Sequence, residues 1–284
     1  MLNFRYHALS LVAVILALVI GLLLGVAIGD EGLVSSAERD LRASLREDVR
    51  KAQDERDEAR ERLEQRLSIE EEAYPALVEN RLAGMRIAVI ELGGSSDRMV
   101  DLTRDALAGS GARLTSVSVI REPLDLEELA KDARGTRYER LDVDPDLVRP
   151  FGTRIGIQFT QGGDLLRAVR TTLLEQGSGT LDGADGVVVV RHAGELDALD
   201  AEAVEQFEAG LMRGLRAEGT PVVGVEATDS EPSQIEWFKR HAAASVDDLD
   251  DPIGRAALVF ALAGEQGHFG IKPTADGGRL PPLL

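Results

Sequence analysis

The side chains that could do chemistry in this chain are few and widely spaced. Its four histidines stand at 7, 192, 241 and 268, and cysteine is absent. Thiolate metal sites, disulfides and cysteine nucleophiles are therefore excluded. His192 follows the apolar run 186–191 (GVVVVR), where a site residue of a parallel sheet would stand, with Glu195 and Asp197 close behind. An imidazole beside carboxylates can ligate a metal or move a proton, so His192 is the metal-ligand candidate. The simpler reading is a polar residue that closes a strand. There is no G-x-S-x-G elbow, no H-E-x-x-H pair and no phosphate-loop lysine. No catalytic or cofactor-binding residue is assigned, and the chain reads as a non-enzyme.

Two glycine turns and one acidic run complete the inventory. Gly93-Gly94-Ser95-Ser96-Asp97 could present helix amides to an anion, but a tight turn with a Ser or Asp cap explains the same residues. Gln161-Gly162-Gly163-Asp164 reads as another capped helix start. The run Asp247-Asp248-Leu249-Asp250-Asp251 could attract a hard cation, yet it lacks calcium-loop spacing. Asp250 or Asp251 more simply caps the helix that follows.

The elements that would position these residues begin at Gly84. Residues 86–92, 113–119, 186–191, 221–226 and 244–246 read as strands. Stretches 97–108, 124–133, 163–174, 200–217, 234–241 and 253–263 read as helices, and 135–160 as a less regular insertion. Four consecutive valines at 187–190 suit a central strand covered on both faces. The alternation predicts an α/β class, with a Rossmann-like, mainly parallel sheet over 84–270 and a tail over 271–284.

Ahead of that domain lie two different segments. Residues 8–29 carry no charge, and a helix of that length reaches about 33 Å, enough to cross a bilayer. Arg5 precedes the run, and Asp30 and Glu31 follow it. Positive charge stays inside, so residues 1–7 are expected in the cytoplasm and the bulk of the chain outside the cytoplasmic membrane. Ala13, Ala17, Gly21, Gly25 and Gly29 recur every fourth residue, a stripe on which two membrane helices can pack. Residues 33–72 are dense in Asp, Glu and Arg and contain no proline. Leu45, Val49, Ala52, Ala59 and Leu63 keep heptad spacing, interrupted by Arg56 and Arg66. This predicts a coiled-coil stalk ending near Pro75 and, with the glycine stripe, a parallel homodimer. The net charge of −18 argues against a nucleic-acid partner and against lying flat on anionic lipid.

Three stretches carry a family resemblance. They are Arg5-x-His7-x-x-Ser10-Leu11 running into the Gly21/Gly25 helix; Ser245-Val246-Asp247-Asp248 with Gly254-Arg255 and 258–262; and Gly267-His268-Phe269-Gly270 with the closing 280–283. In this order they resemble the actinobacterial MctB-type proteins, named copper transporters, which include the SteB proteins of corynebacteria. The resemblance spans essentially the whole chain and implies a role in copper homeostasis or efflux. For SteB-like members it implies instead a SteA-like membrane partner and, through a cell-wall hydrolase, control of peptidoglycan hydrolysis during division. Copper(I) prefers thiolate and thioether ligands, and the chain offers four methionines, at 1, 85, 99 and 212. One apolar helix without an ionisable residue inside makes no ion path alone. The residues thus point to a dimeric, membrane-anchored scaffold in place of a pore.

Overall fold

The structure, a computed structural model, describes residues 4–28, 31–192, 194 and 196–282, with backbone alone for 4–6, 28 and 31–39. Two compact units divide it, 1–66 and 67–284. In the first, helix α1 (Phe4–Ile28) contains the stretch His7–Ala27, long and apolar enough to cross a membrane. Ala13, Ala17, Gly21 and Gly25 lie on this helix, while Gly29 falls outside the described residues. Helix α2 (Glu31–Val78) spans the division between the units. Along its first part the seam residues Leu45, Val49, Ala52, Ala59 and Leu63 are all exposed in the single chain. The expected pair Glu58–Arg62 forms at 3.0 Å.

Pro75 does not end the helix as expected; α2 continues to Val78. The cost of a missing amide is offset by burial, because Tyr74, Val78 and Leu82 enter the core of the second unit. The Tyr74 hydroxyl also donates to the carbonyl of Ala106, and Arg255 pairs with Glu71.

The second unit is one seven-stranded sheet in the order β3-β2-β1-β4-β5-β6-β7. Its strands are β1 (Arg86–Leu92), β2 (Arg113–Ile120), β3 (Leu174–Gly179), β4 (Gly186–Arg191), β5 (Val222–Val225), β6 (Ala244–Val246) and β7 (Gly267–Phe269). Every pairing is parallel except β2–β3. The first six positions repeat the 3-2-1-4-5-6 order of dinucleotide-binding sheets, with β3 reversed. Alternation along β1 and β4 feeds two cores. Ala88, Ile90, Leu92, Val187 and Val189 face α4 (Leu126–Asp132), α5 (Val148–Gln161), α6 (Asp164–Leu173), α7 (Ala198–Leu215) and α8 (Ile235–His241). Ile87, Val89, Val188 and Val190 face α3 (Asp97–Leu107), α9 (Pro252–Leu262) and the end of α2.

Three elements differ from the sequence expectation. The supposed irregular insertion contains α5, whose Gly152 and Gly156 depress helix propensity. They are there for contact: a Cβ at Gly152 would lie 2.3 Å from the Phe207 carbonyl oxygen, and one at Gly156 2.3 Å from that of Leu211. Gly210 and Gly214 of α7 meet α5 in the same way, at 2.2 and 2.1 Å from the carbonyl oxygens of Arg149 and Thr153. Strand β3 (LEQGSG) has poor strand propensity and forms only as an exposed antiparallel edge. Strand β7 is three residues added beyond β6.

Because both backbones are in contact, Gly214→Ala must push α5 and α7 apart. It is expected to cost about 3 kcal/mol, whereas Glu202→Ala on the exposed side of α7 should stay within about 0.5 kcal/mol. Urea unfolding of the full-length protein in micelles checks both; equal stabilities would refute the close contact.

Candidate functional site

The order of the sheet reverses between β1 and β4, so the crevice at the carboxyl ends of those strands is where an open α/β sheet binds ligands. A cleft of about 790 Å³ lies there, with Glu122, Arg191, His192, Glu205, Trp237 and Arg240 among its walls. The turn after β1 packs behind two of these walls, against His192 and Glu122. Gly93 has φ +74°, and a Cβ on it would lie 2.4 Å from the His192 carbonyl oxygen, so no side chain fits. Ser96 caps α3 through its hydroxyl, as expected, accepting from Met99 N. The anion place at this helix start is taken by the chain itself: Ser96 N donates to Glu91 Oε1 at 2.8 Å.

His192 stands at this crevice with its Nε2 3.6 Å from Glu91 Oε1, too far for a hydrogen bond. That nitrogen is buried and has no hydrogen-bond partner. Of the neighbours expected from sequence, Asp197 turns to cap α7, accepting from Leu199 N and Asp200 N at 3.0 Å, and Glu195 lies outside the described residues. Among the described residues no group of three or more His, Cys, Asp or Glu side chains is placed to hold a metal ion. Two other histidines, His241 and His268, are held locally. His241 stacks on Trp237 at 4.3 Å and shares Nδ1 with the Trp237 carbonyl; His268 Nδ1 pairs with Ser245 Oγ at 2.9 Å. Burial lowers the pKa of both.

Side chains that the sequence analysis passed over form the floor. Arg191 binds Glu208 of α7 through Nε at 3.1 Å to both carboxylate oxygens, donates to Gln234 Oε1, and lies 4.8 Å above the Trp237 ring. Glu208 is almost fully buried, and burial pushes its pKa up to about 7 against the pull of Arg191. Glu122 is also raised by burial, although the Gly93 amide binds its carboxylate. One signal was present in the sequence: Glu91 sits inside the otherwise apolar run 87–92, and Glu208 beside Phe207 on α7.

The acidic run 247–251 is engaged by the tail and by neighbouring elements of the domain. Asp247 accepts from the amides of Ile271 and Lys272, at 2.8 and 3.1 Å. Asp248 and Asp251 both receive Arg279, and Asp251 caps α9. Asp250 accepts from Thr228 and pairs with Arg98. Lys272 then reaches Glu226 at 2.6 Å, and Glu226 also takes the Ser233 hydroxyl and Gln234 N, both at 2.6 Å. Through Gln234 this clasp adjoins Arg191 and the crevice. The turn at 161–164 is likewise structural: Gln158 Oε1 accepts from Leu166 N, at 2.7 Å.

The class is therefore an α/β domain carried on a chain whose N-terminal helix fits a membrane anchor. A family model described as "Copper transport outer membrane protein, MctB" matches residues 1–278, and the chain belongs to that family. The proteins named Copper transporter MctB from Mycobacterium tuberculosis (strain H37Rv) and Mycobacterium bovis are each 26% identical to it, over 95% of this chain and 96% of theirs. The resemblance read from the terminal stretches is thus borne out at the level of the family.

The buried Glu208 gives a pH signature. Its pKa is raised on folding, so its contribution to stability is full below about pH 4.5 and is lost as pH rises through about 7. Glu208→Gln removes that dependence. Between pH 4.5 and 7.5 the stability of the parent protein relative to the variant should fall by on the order of 2–3 kcal/mol. Parallel stability curves would contradict the assignment.

Proposed function

We propose that this protein supports copper tolerance as a single-pass, non-catalytic scaffold in the cytoplasmic membrane, with its α/β domain on the extracytoplasmic side. The observation that carries this reading is the apolar surface left open along its helices. The stripe Ala13, Ala17, Gly21 and Gly25 and the seam Leu45, Val49 and Leu63 are exposed in the single chain. Apolar residues kept at heptad spacing and left exposed on a long helix favour a partner helix. The arrangement favours a parallel homodimer, with room for a second membrane protein, such as one linked to a wall hydrolase, on the same seam. The family's description and the names of the relatives support copper as the metal concerned. Residues support contact over conduction: Met99 and Met212, soft ligands for copper(I), are buried in separate cores. For the location, a continuous apolar helix is a form of bilayer span, whereas outer-membrane spans are closed barrels; the described strands form one open sheet. Arg5 before the helix and Glu31 after it support the orientation.

Deletion of the gene, with complementation on copper-containing medium, tests the proposal. The deletion should grow worse and hold more copper, and the parent gene should restore both. Gly21→Leu with Gly25→Leu should reach the membrane but fail to restore growth. Unchanged copper tolerance in the deletion would remove the copper role, and full rescue by the double variant would remove the contact mechanism.

A further inference from the structure

We infer that the face of the α/β unit around Asp142 is a two-fold contact between two copies of this chain. Two adjoining hollows lie there and share Leu126 and Asp142 as wall residues. One of them, of about 600 Å³, runs between residues 141–150 and the start of α7, with Pro145, Pro150 and Leu199 in its wall. Leu199 is 81% exposed, and Val143, next to Asp142 in the chain, is 63% exposed. Among the described residues of 67–284, two other large apolar side chains are exposed, Ile69 and Ile271. Single exposed apolar residues are ordinary, but two beside one apolar hollow mark a contact face.

Charge says what covers it. The hollow beside α7 is rimmed by Asp142, Asp146 and Glu202, and Arg149 among them is committed to Gln206 Oε1 at 2.8 Å. The neighbouring hollow carries Lys131, Arg134 and Arg140. Its carboxylates are engaged locally: Glu127 pairs with Lys131 at 2.9 Å, and Glu139 accepts from the Gly135 amide at 3.1 Å. Among the described residues, Arg134, Arg140, Asp142, Asp146 and Glu202 form no ion pair. One face thus holds uncommitted arginines on one side and uncommitted carboxylates on the other, meeting at Asp142. A two-fold axis near Asp142 lays the basic half of each copy on the acidic half of the other, so each charge contact is made twice. A partner of one sign would answer only half of the face. The apolar side chains then lie inside a rim of arginine–carboxylate pairs, the usual order of a protein interface. This contact is separate from the span and the stalk seam and rests neither on their pairing nor on the copper role.

The chain has no cysteine, so a single introduced thiol reports on one place. Full-length protein in membranes would carry Val143→Cys or Leu199→Cys and be treated with a short bis-maleimide, with the exposed Glu265→Cys as the control. Residues near a two-fold axis meet their own copies, so the first two should link chain to chain and the control should not. In the Val143→Cys background, Arg134→Glu with Arg140→Glu should lower the yield about fivefold, and Asp142→Arg with Asp146→Arg should do the same. Co-expression of the two reversed chains should restore the yield, since each then presents to the other the opposite sign on both halves. That recovery also shows that both variants fold. Leu45→Cys in parallel membranes reads the stalk separately, so linkage there without linkage at Val143 and Leu199 would remove this contact and leave the stalk pairing standing. Linkage at Val143 and Leu199 no better than at Glu265, a yield indifferent to both reversals, or a loss that co-expression fails to restore would each overturn the assignment.

Discussion

Five carboxylates are buried in the α/β unit, at Glu91, Glu208, Glu226, Asp247 and Asp248, and the structure around the carboxyl edge of the sheet is arranged to answer them. A buried charge without partners is among the costliest features a fold can carry. Four of the five sit at a strand end: Glu91 within β1, Glu226 directly after β5, Asp247 and Asp248 directly after β6. Helix amides and turns begin at that edge, so donors are near. Ser96 N answers Glu91; the amides of Ile271 and Lys272 answer Asp247; side chains of Arg191, Lys272 and Arg279 answer the other three.

That requirement explains two features of the domain. The tail must fold back, because Lys272 and Arg279 are the cations that Glu226 and Asp248 depend on. Glycines follow from the same crowding: a Cβ at Gly270 would fall 2.0 Å from Asp247 Oδ1, and one at Gly254 2.0 Å from the Asp248 carbonyl oxygen. On the opposite face of the sheet the glycine contact of α5 with α7 sets the position of Glu208, and through it the Arg191 wall of the crevice. The stretches that carry the family resemblance near the C-terminus are thus parts of a clasp. Ser245 and His268 bond to each other, and Arg255 holds Glu71.

Much of this could be read in the sequence, and the rest fails for identifiable reasons. The valines of β4 and the alternation of strands and helices announced the α/β class. Helix α5 was missed because Gly152 and Gly156 weaken the local signal, and their value lies in a contact with Gly210 and Gly214 some sixty residues away. Strand β3 has no strand composition of its own; pairing with β2 makes it a strand. Pro75 looked like a terminator because the burial of Tyr74 and Val78 is tertiary information. For the crevice, His192 was legible as a residue after the central strand. Its true neighbours, Glu91 and Glu122, come from β1 and the segment after β2, and only the parallel register brings them to it.

The central claim is that the tail's cations are required by buried carboxylates, and the Lys272–Glu226 pair is its sharpest instance. A double-mutant cycle on the full-length protein, read by urea unfolding at neutral pH, measures it directly. Lys272→Met should cost about 3–5 kcal/mol, since it leaves Glu226 buried and short of a cation. Combining it with Glu226→Gln should recover most of that loss. A single variant as stable as the parent, or a double variant no more stable than the single, would contradict the account.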